Sequence, residues 1–201
     1  KDPFIHTGLS AQLKYGERNL FEAALRYGQS FKNKNGKDFF AYKINLFYLT
    51  ANDWEANNLD PVYGTDFDRT NPGGYDAVNI YGDEYQSGLD YSGSSLVGLG
   101  AVHRTGYSEL DLVDYDTWNQ KASVSLHWRL KPNEDYLSPQ LILQSNFGGG
   151  TTVYQGDNRF SLRNIRFFQH RLELRKENHY FLRAYVTHED AGDSYDPYFT
   201  A

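Results

Sequence analysis

"TDFDRTNPGGYD" (Thr65–Asp76) is the first stretch whose residue types and spacing could do chemistry. Asp66, Asp68 and Thr70 stand at alternate positions, as the oxygen ligands of a calcium loop do. An EF-hand loop also needs Gly at its sixth position and Glu at its twelfth, and here those are Asn71 and Ala77. The stretch is therefore not an EF-hand. A less regular Ca²⁺ site and a solvated, turn-rich loop are the two readings left.

Other candidate chemistry falls away on spacing. "GLGAVH" (Gly98–His103) puts His103 where a dinucleotide fingerprint has its third Gly, and no βαβ pattern surrounds it. "GGGTT" (Gly148–Thr152) has no Lys after it to meet a phosphate. Both read as flexible or tightly turning loop. The six His are scattered, with no close pair such as an HExxH helix supplies, and there is no Cys. No Ser sits in a nucleophile-elbow setting, and no carboxylate pair stands out as acid and base. The reading is not an enzyme, with no catalytic residue, resident metal or cofactor. A net charge of -6 and the lack of a basic run argue against a nucleic-acid partner.

Binding remains. Trp54, Asp66, Tyr75, Tyr107, Tyr154 and Arg159 are the side chains best suited to hold a polar ligand, by stacking and hydrogen bonds. They lie in connections rich in Tyr, Asp, Asn and Gly. The same mix suits a loop that folds on itself or against a partner, and Trp54 in "NDWEANN" also reads as an interfacial aromatic anchor.

The elements that position these residues are strands. Aromatics make up 16% of the chain, too many for a disordered segment, and Tyr and Phe favour strands. Period-two alternation predicts seven, near 7–15, 19–31, 38–50, 119–131, 140–147, 164–176 and 180–189. "LFEAALRYG" in the second also has helical spacing, but its neighbours favour strand. "RFF" (Arg166–Phe168) breaks the phase of the sixth and suggests a bulge. The fourth is the cleanest. Ala122, Val124, Leu126, Trp128 and Leu130 share one side, and Lys121, Ser123, Ser125, His127, Arg129 and Lys131 share the other. His127 on the polar side reads as a hydrogen-bonded residue rather than a metal ligand.

Strands of eleven to twelve residues reach about 40 Å, or about 28 Å when tilted 45°, close to a bilayer's hydrocarbon core. The connections alternate: short at 32–37, 131–139 and 176–178, longer at 51–118 and 148–161. "YGER" (Tyr15–Arg18) is a short exception. Long strands, apolar outside and polar inside, with short turns at one end and long loops at the other, predict an all-β fold. The architecture expected is an antiparallel transmembrane β-barrel segment, with 51–118 as a long extracellular loop. Lys43, Lys121, Arg129, Arg171, Arg175 and Arg183 then face the lumen. The alternative is a soluble β-rich domain that binds glycans or proteins, and strands of five to six residues would favour it. No apolar run approaches 18 residues, so no transmembrane helix is expected, nor a signal peptide. The chain opens "KDPFIHTG" without Met, which reads as processing or as an excerpt of something longer.

Several stretches resemble the TonB-dependent outer-membrane receptors of the Bacteroidetes type. They are "AYKINLFYLTANDWEANN" (Ala41–Asn58), "NPGGYDAVNIYGDE" (Asn71–Glu84), "HRTGYSELDLVDYDTWN" (His103–Asn119), "TTVYQGDNRFSLRNIRFFQHRLELR" (Thr151–Arg175) and "YFLRAYVTHEDAGDSYD" (Tyr180–Asp196). The resemblance covers nearly the whole chain. It implies about seven strands of a larger barrel of about 22, with a plugged lumen. It implies import of a nutrient (glycan, peptide or metal chelate) across the outer membrane of a Gram-negative bacterium, energised by the TonB complex through the plug. Further implied partners are the lipid and lipopolysaccharide bilayer, the rest of the barrel and a surface lipoprotein. A TonB box, plug and N-terminal domain are not expected within these residues. A passive porin is the remaining variant.

Overall fold

The alternation becomes seven long antiparallel strands. The computed structural model describes residues 1–90, 100–155 and 159–201. In chain order the elements are β1 (Gly8–Tyr15), β2 (Phe21–Lys32), β3 (Asp38–Asn52), β4 (Ile80–Tyr81), β5 (Tyr85–Asp90), β6 (Ala101–His103), β7 (Tyr107–Ser108) and a helical turn α1 (Glu109–Leu112). Then come β8 (Asp116–Arg129), a 3-10 segment (Pro132–Leu137), β9 (Gln140–Gln155), β10 (Arg159–Lys176), β11 (Tyr180–Asp190) and α2 (Pro197–Thr200).

The chain divides into two units. The first holds residues 1–52, 116–152 and 162–193, and it is an open antiparallel sheet in the order β1-β2-β3-β8-β9-β10-β11. The second holds 53–115, 153–161 and 194–201. Every strand expected from the alternation is present, and "LFEAALRYG" is strand. Registers run through Leu9↔Tyr27↔Ile44↔Val124↔Ser145 across β1, β2, β3, β8 and β9. The pleat therefore puts Leu9, Tyr27, Ile44 and Val124 on one face.

Several boundaries differ from the sequence reading. Strand β9 runs on through "GGGTT" to Gln155, so most of the expected 148–161 loop is strand; its residues 156–158 lie outside the described part. The glycines allow it. A Cβ on Gly150 would stand 2.5 Å from the Trp118 carbonyl oxygen, whereas one on Gly148 would meet nothing within 4 Å. Gly150→Ala is expected to lower stability by about 1–3 kcal/mol through overpacking while Gly148→Ala is tolerated. Comparing urea midpoints of the two variants checks this.

The fourth strand ends at Arg129: Leu130 N–H still donates to the Pro139 carbonyl, but Pro139 has no N–H to return the bond, and the chain enters the 3-10 turn. The second begins at Phe21, after Arg18 and Asn19, both at φ 56°. The bulge expected at "RFF" is not in the β10–β11 pairing, which runs unshifted from Arg166↔Asp190 to Lys176↔Tyr180. The irregular residue is Asn164, at φ 55°, where Thr151 Oγ1 accepts from its backbone N–H. A register shift lies instead between Phe31 and Lys32.

The region 51–118 has internal structure. Strands β4 and β7 pair, β5 and β6 pair, and Pro61 bridges Ala77. "GLGAVH" is therefore partly strand, at Ala101–His103, while its residues 98 and 99 lie outside the described part. Among the described residues no helix is long and apolar enough to cross a membrane.

Candidate functional site

One face of the sheet is apolar and uncovered. Leu9, Leu13 and Tyr15 on β1, Phe21, Leu25 and Phe31 on β2, and Leu46 and Tyr48 on β3 are exposed. So are Val124, Leu143, Phe168, Leu172, Leu182 and Val186 on the later strands. Aromatic rings gather at the short-turn end, where Phe31 stacks on Phe40 at 5.8 Å and Phe40 meets Trp128 at 5.2 Å. Trp118 lies opposite Thr50, ten residues on from Phe40, with Tyr15 paired to Phe21 at the same end. Ten residues span about 33 Å along a strand, or about 25 Å at a tilt of about 40°.

The opposite face is polar. Lys43, Asn45, Ser123, Ser125, His127, Gln140, Gln144, Arg171, Glu173, Arg175 and Arg183 stand here by register. Their bonds tie strand to strand: Arg171 Nη2 donates to Gln144 Oε1 at 2.5 Å, and Arg183 Nε meets Glu173 Oε2 at 2.6 Å. His127 makes the expected hydrogen bond, Nε2 to Ser125 Oγ at 3.1 Å. What little apolar burial the sheet unit has, Phe4, Ala41 and Ile142, is on this polar side.

Phe4 was not anticipated. "KDPFIH" folds into a turn in which the Ile5 and His6 N–H groups donate to the Asp2 carbonyl. Phe4 lies edge-on to His127, with the Arg129 guanidinium 4.2 Å from its ring centre. Lys43 Nζ donates to the Lys1 carbonyl and Arg26 Nη2 to the His6 carbonyl. Pro3 beside the Asp2 acceptor is a turn signal that could have been read.

The second unit is organised around Glu109, which is 0% exposed. Asn79 Nδ2 (3.0 Å) and Tyr81 OH (2.6 Å) donate to its Oε2, Tyr115 OH (2.7 Å) donates to Oε1, and Arg159 Nε lies 3.0 Å from Oε2. The start of α1 positions Glu109: Ser108 caps the turn by accepting from Leu110 N–H, and Glu109 N–H donates to the Asn79 carbonyl. Burial and the Glu109 carboxylate push the Tyr81 hydroxyl up, and burial pushes that of Tyr115 up to about 12, so both stay donors. The two tyrosines and Asn79 had no signal marking them as partners.

The six sequence-chosen residues divide. Arg159 is tied to Glu109, and Tyr75 OH donates to the Leu59 carbonyl at 2.8 Å. Trp54, two residues past β3, is 70% exposed, and Asp66, Tyr107 and Tyr154 are also exposed. Tyr154 tilts against Phe160 at 6.4 Å. In the acidic stretch Asp68 Oδ1 accepts from both the N–H and the hydroxyl of Thr70. Among the described residues no group of three His, Cys, Asp or Glu could hold a metal ion.

Asp83 is buried and its Oδ2 accepts from Ala77 N–H at 2.9 Å. Burial pushes its carboxyl up, and burial then Glu84 do the same to Asp76, with His103 opposing. In the fold each carboxyl binds its proton more tightly than in the unfolded chain. This contribution to stability is present below the unfolded Asp value of about 3.9 and is lost as pH rises through the raised folded value. Asp83→Asn keeps the acceptor and drops the charge. It is expected to flatten the acid-side gain and to protect residues 76–83 better at pH 7, as amide exchange at pH 5 and 7 would show. Unchanged exchange would contradict the argument.

No protein-family model, curated protein or solved structure matches this chain.

Proposed function

We propose that the seven-stranded sheet is part of the wall of an outer-membrane β-barrel, and that the second unit belongs to its extracellular loops. The observation that carries the reading is the continuous exposed apolar face, with the sheet's few buried apolar side chains on the opposite, polar face. A soluble sheet buries its apolar face, and soluble monomers rarely leave apolar patches beyond a few hundred Å² uncovered. Lipid covers such a face without a second layer. The sheet strands run from 8 to 18 residues, longer than the five to six usual in soluble domains. β1 and β11 are exposed on both faces and each pairs with a single neighbour. Open edges of this length call for further strands, which a closed barrel supplies.

The finer reading, TonB-dependent import of a glycan, peptide or metal chelate, rests on the resemblance of the stretches quoted above. So do the TonB complex, plug and surface lipoprotein as partners. Detergent-phase partitioning of the native protein tests the barrel. A protein that enters the detergent phase and migrates differently on a gel before and after boiling supports it. A water-soluble monomer would leave a soluble binding domain instead. Co-purification with TonB separates an energised transporter from a passive porin.

A further inference from the structure

The apolar face is not apolar throughout. On β1, β2, β3, β8 and β9, its residues between the Phe40–Trp128 row and the Thr50–Trp118 row include no Asp, Glu, Lys, Arg or His. β10 and β11 break this rule. There Phe168, Leu172, Leu182 and Val186 share the face with Arg166, His170, His188 and Asp190, since register pairs Arg166 with Asp190, Phe168 with His188 and His170 with Val186. All four polar side chains are exposed.

His170 is the most central of them. Its Nδ1 lies 2.7 Å from Ser145 Oγ, and Ser145 pairs with Val124 on the same face. Six residues separate His170 from Lys176, where β10 ends. On a strand tilted about 40° they cover about 15 Å of depth, half of a bilayer's hydrocarbon core. Among the described residues the second ring nitrogen of His170 has no partner, nor has the His188 ring or the Arg166 guanidinium. Asp190 Oδ1 accepts from Gly192 N–H, and no described cation lies within ion-pair distance of it.

Ionisable side chains are rare where a membrane protein meets lipid, because hydrocarbon supplies neither hydrogen bonds nor screening. A plug fills the lumen and further strands extend the wall sideways, so neither covers the outside of β10 and β11. The cover comes from outside the barrel. The patch carries both signs, and its cation and anion are a register pair, so they lie at nearly one depth. A two-fold axis along the membrane normal, passing between β10 and β11, sets each of these strands against the other strand of a second copy. Arg166 of each copy then meets Asp190 of the other. The two His170 rings meet near the axis, where one can donate to the other. A purely basic patch would suit a phosphate-bearing lipid, whereas this one is complementary to itself.

We propose that the outward face of β10 and β11, with Ser145, is where two copies of the protein pack side by side in the membrane. Phe168, Leu172 and Val186 supply the apolar contact around the polar centre. The inference rests on the barrel reading, which makes this face the outside of the wall.

The native full-length protein carries the test, in two differently tagged forms made in one cell. Copies bearing Arg166→Asp repel themselves, as do copies bearing Asp190→Arg, and each attracts the other. After extraction in mild detergent the mixed pair is expected to co-purify at least about tenfold more than either variant with itself. Cross-linking gives a second readout. His170→Cys treated in outer-membrane preparations with a bis-maleimide of about 10 Å reach, the spacing of packed sheets, is expected to give a cross-linked dimer. Leu46→Cys on β3 should give none, and the unsubstituted protein controls for other thiols. Equal co-purification of mixed and matched pairs, or capture of a different protein by His170→Cys, overturns the dimer and leaves the barrel standing. A monomeric mass whose Arg166→Asp form loses bound lipopolysaccharide assigns the patch to lipid and overturns the dimer equally. A protein that never enters the detergent phase overturns the barrel, and the inference with it.

Discussion

Arg159→Met is expected to loosen the second unit by about 3–5 kcal/mol, because it strands the Glu109 carboxylate in the interior without its cation. Glu109 is 0% exposed and the Arg159 side chain is 18% exposed, so water cannot take over the role. Tyr81, Tyr115 and Asn79 would still donate, but three neutral donors do not replace a charge. Amide exchange should rise at Asn79, at 107–115 and at Ser161, while the amides of β2, β3 and β8 stay protected. Glu109→Leu/Arg159→Met should recover much of the loss, since replacing a buried pair by apolar groups is far cheaper than breaking it. Unchanged protection in Arg159→Met would mean that the aromatic and backbone contacts hold the unit alone. The double variant also separates structure from ligand binding. If Arg159 served a ligand, stability would return without function.

The second large effect concerns which face meets lipid. Val124 lies between Ile44 and Ser145 on the apolar face, and Ser123 lies beside it on the polar one, 3.4 Å from Asn45 Nδ2. Val124→Arg should cost about 2–4 kcal/mol when the native protein folds into lipid vesicles, and Ser123→Arg about 0–1 kcal/mol. Urea titration of vesicle-folded protein measures both. Equal tolerance of the two would remove lipid from the argument, because an arginine on a wet strand face costs little. The contrast uses neighbouring residues, so strand propensity and depth nearly cancel.

Much of the sheet was legible because a pleated strand writes its faces into the chain with a period of two, a purely local rule. Ala122 to Leu130 against Lys121 to Lys131 needed no partner to be read. The boundaries were less legible. Leu130 and Lys131 keep the alternation yet leave β8, since Pro139 has no N–H to pair with Leu130 and the Ser138 hydroxyl accepts the Lys131 N–H. "GGGTT" has no side-chain pattern to read, and only the closeness of Trp118 explains why glycine continues the strand there. Composition allowed a loop folded on itself but could not say how.

By itself, then, the sequence determined the seven strands, their two-faced character and the single-face grouping of Lys43, Arg129, Arg171 and Arg175. Only the tertiary structure decided the roles of Glu109 and Arg159, 50 residues apart, and the docking of Phe4 against His127. It also decided that Tyr75 serves Leu59 while Tyr107 stays exposed. The physical reason is range. Alternation is set by neighbouring residues, whereas a buried charge or a capping ring takes its meaning from groups that the chain brings close only when it is folded.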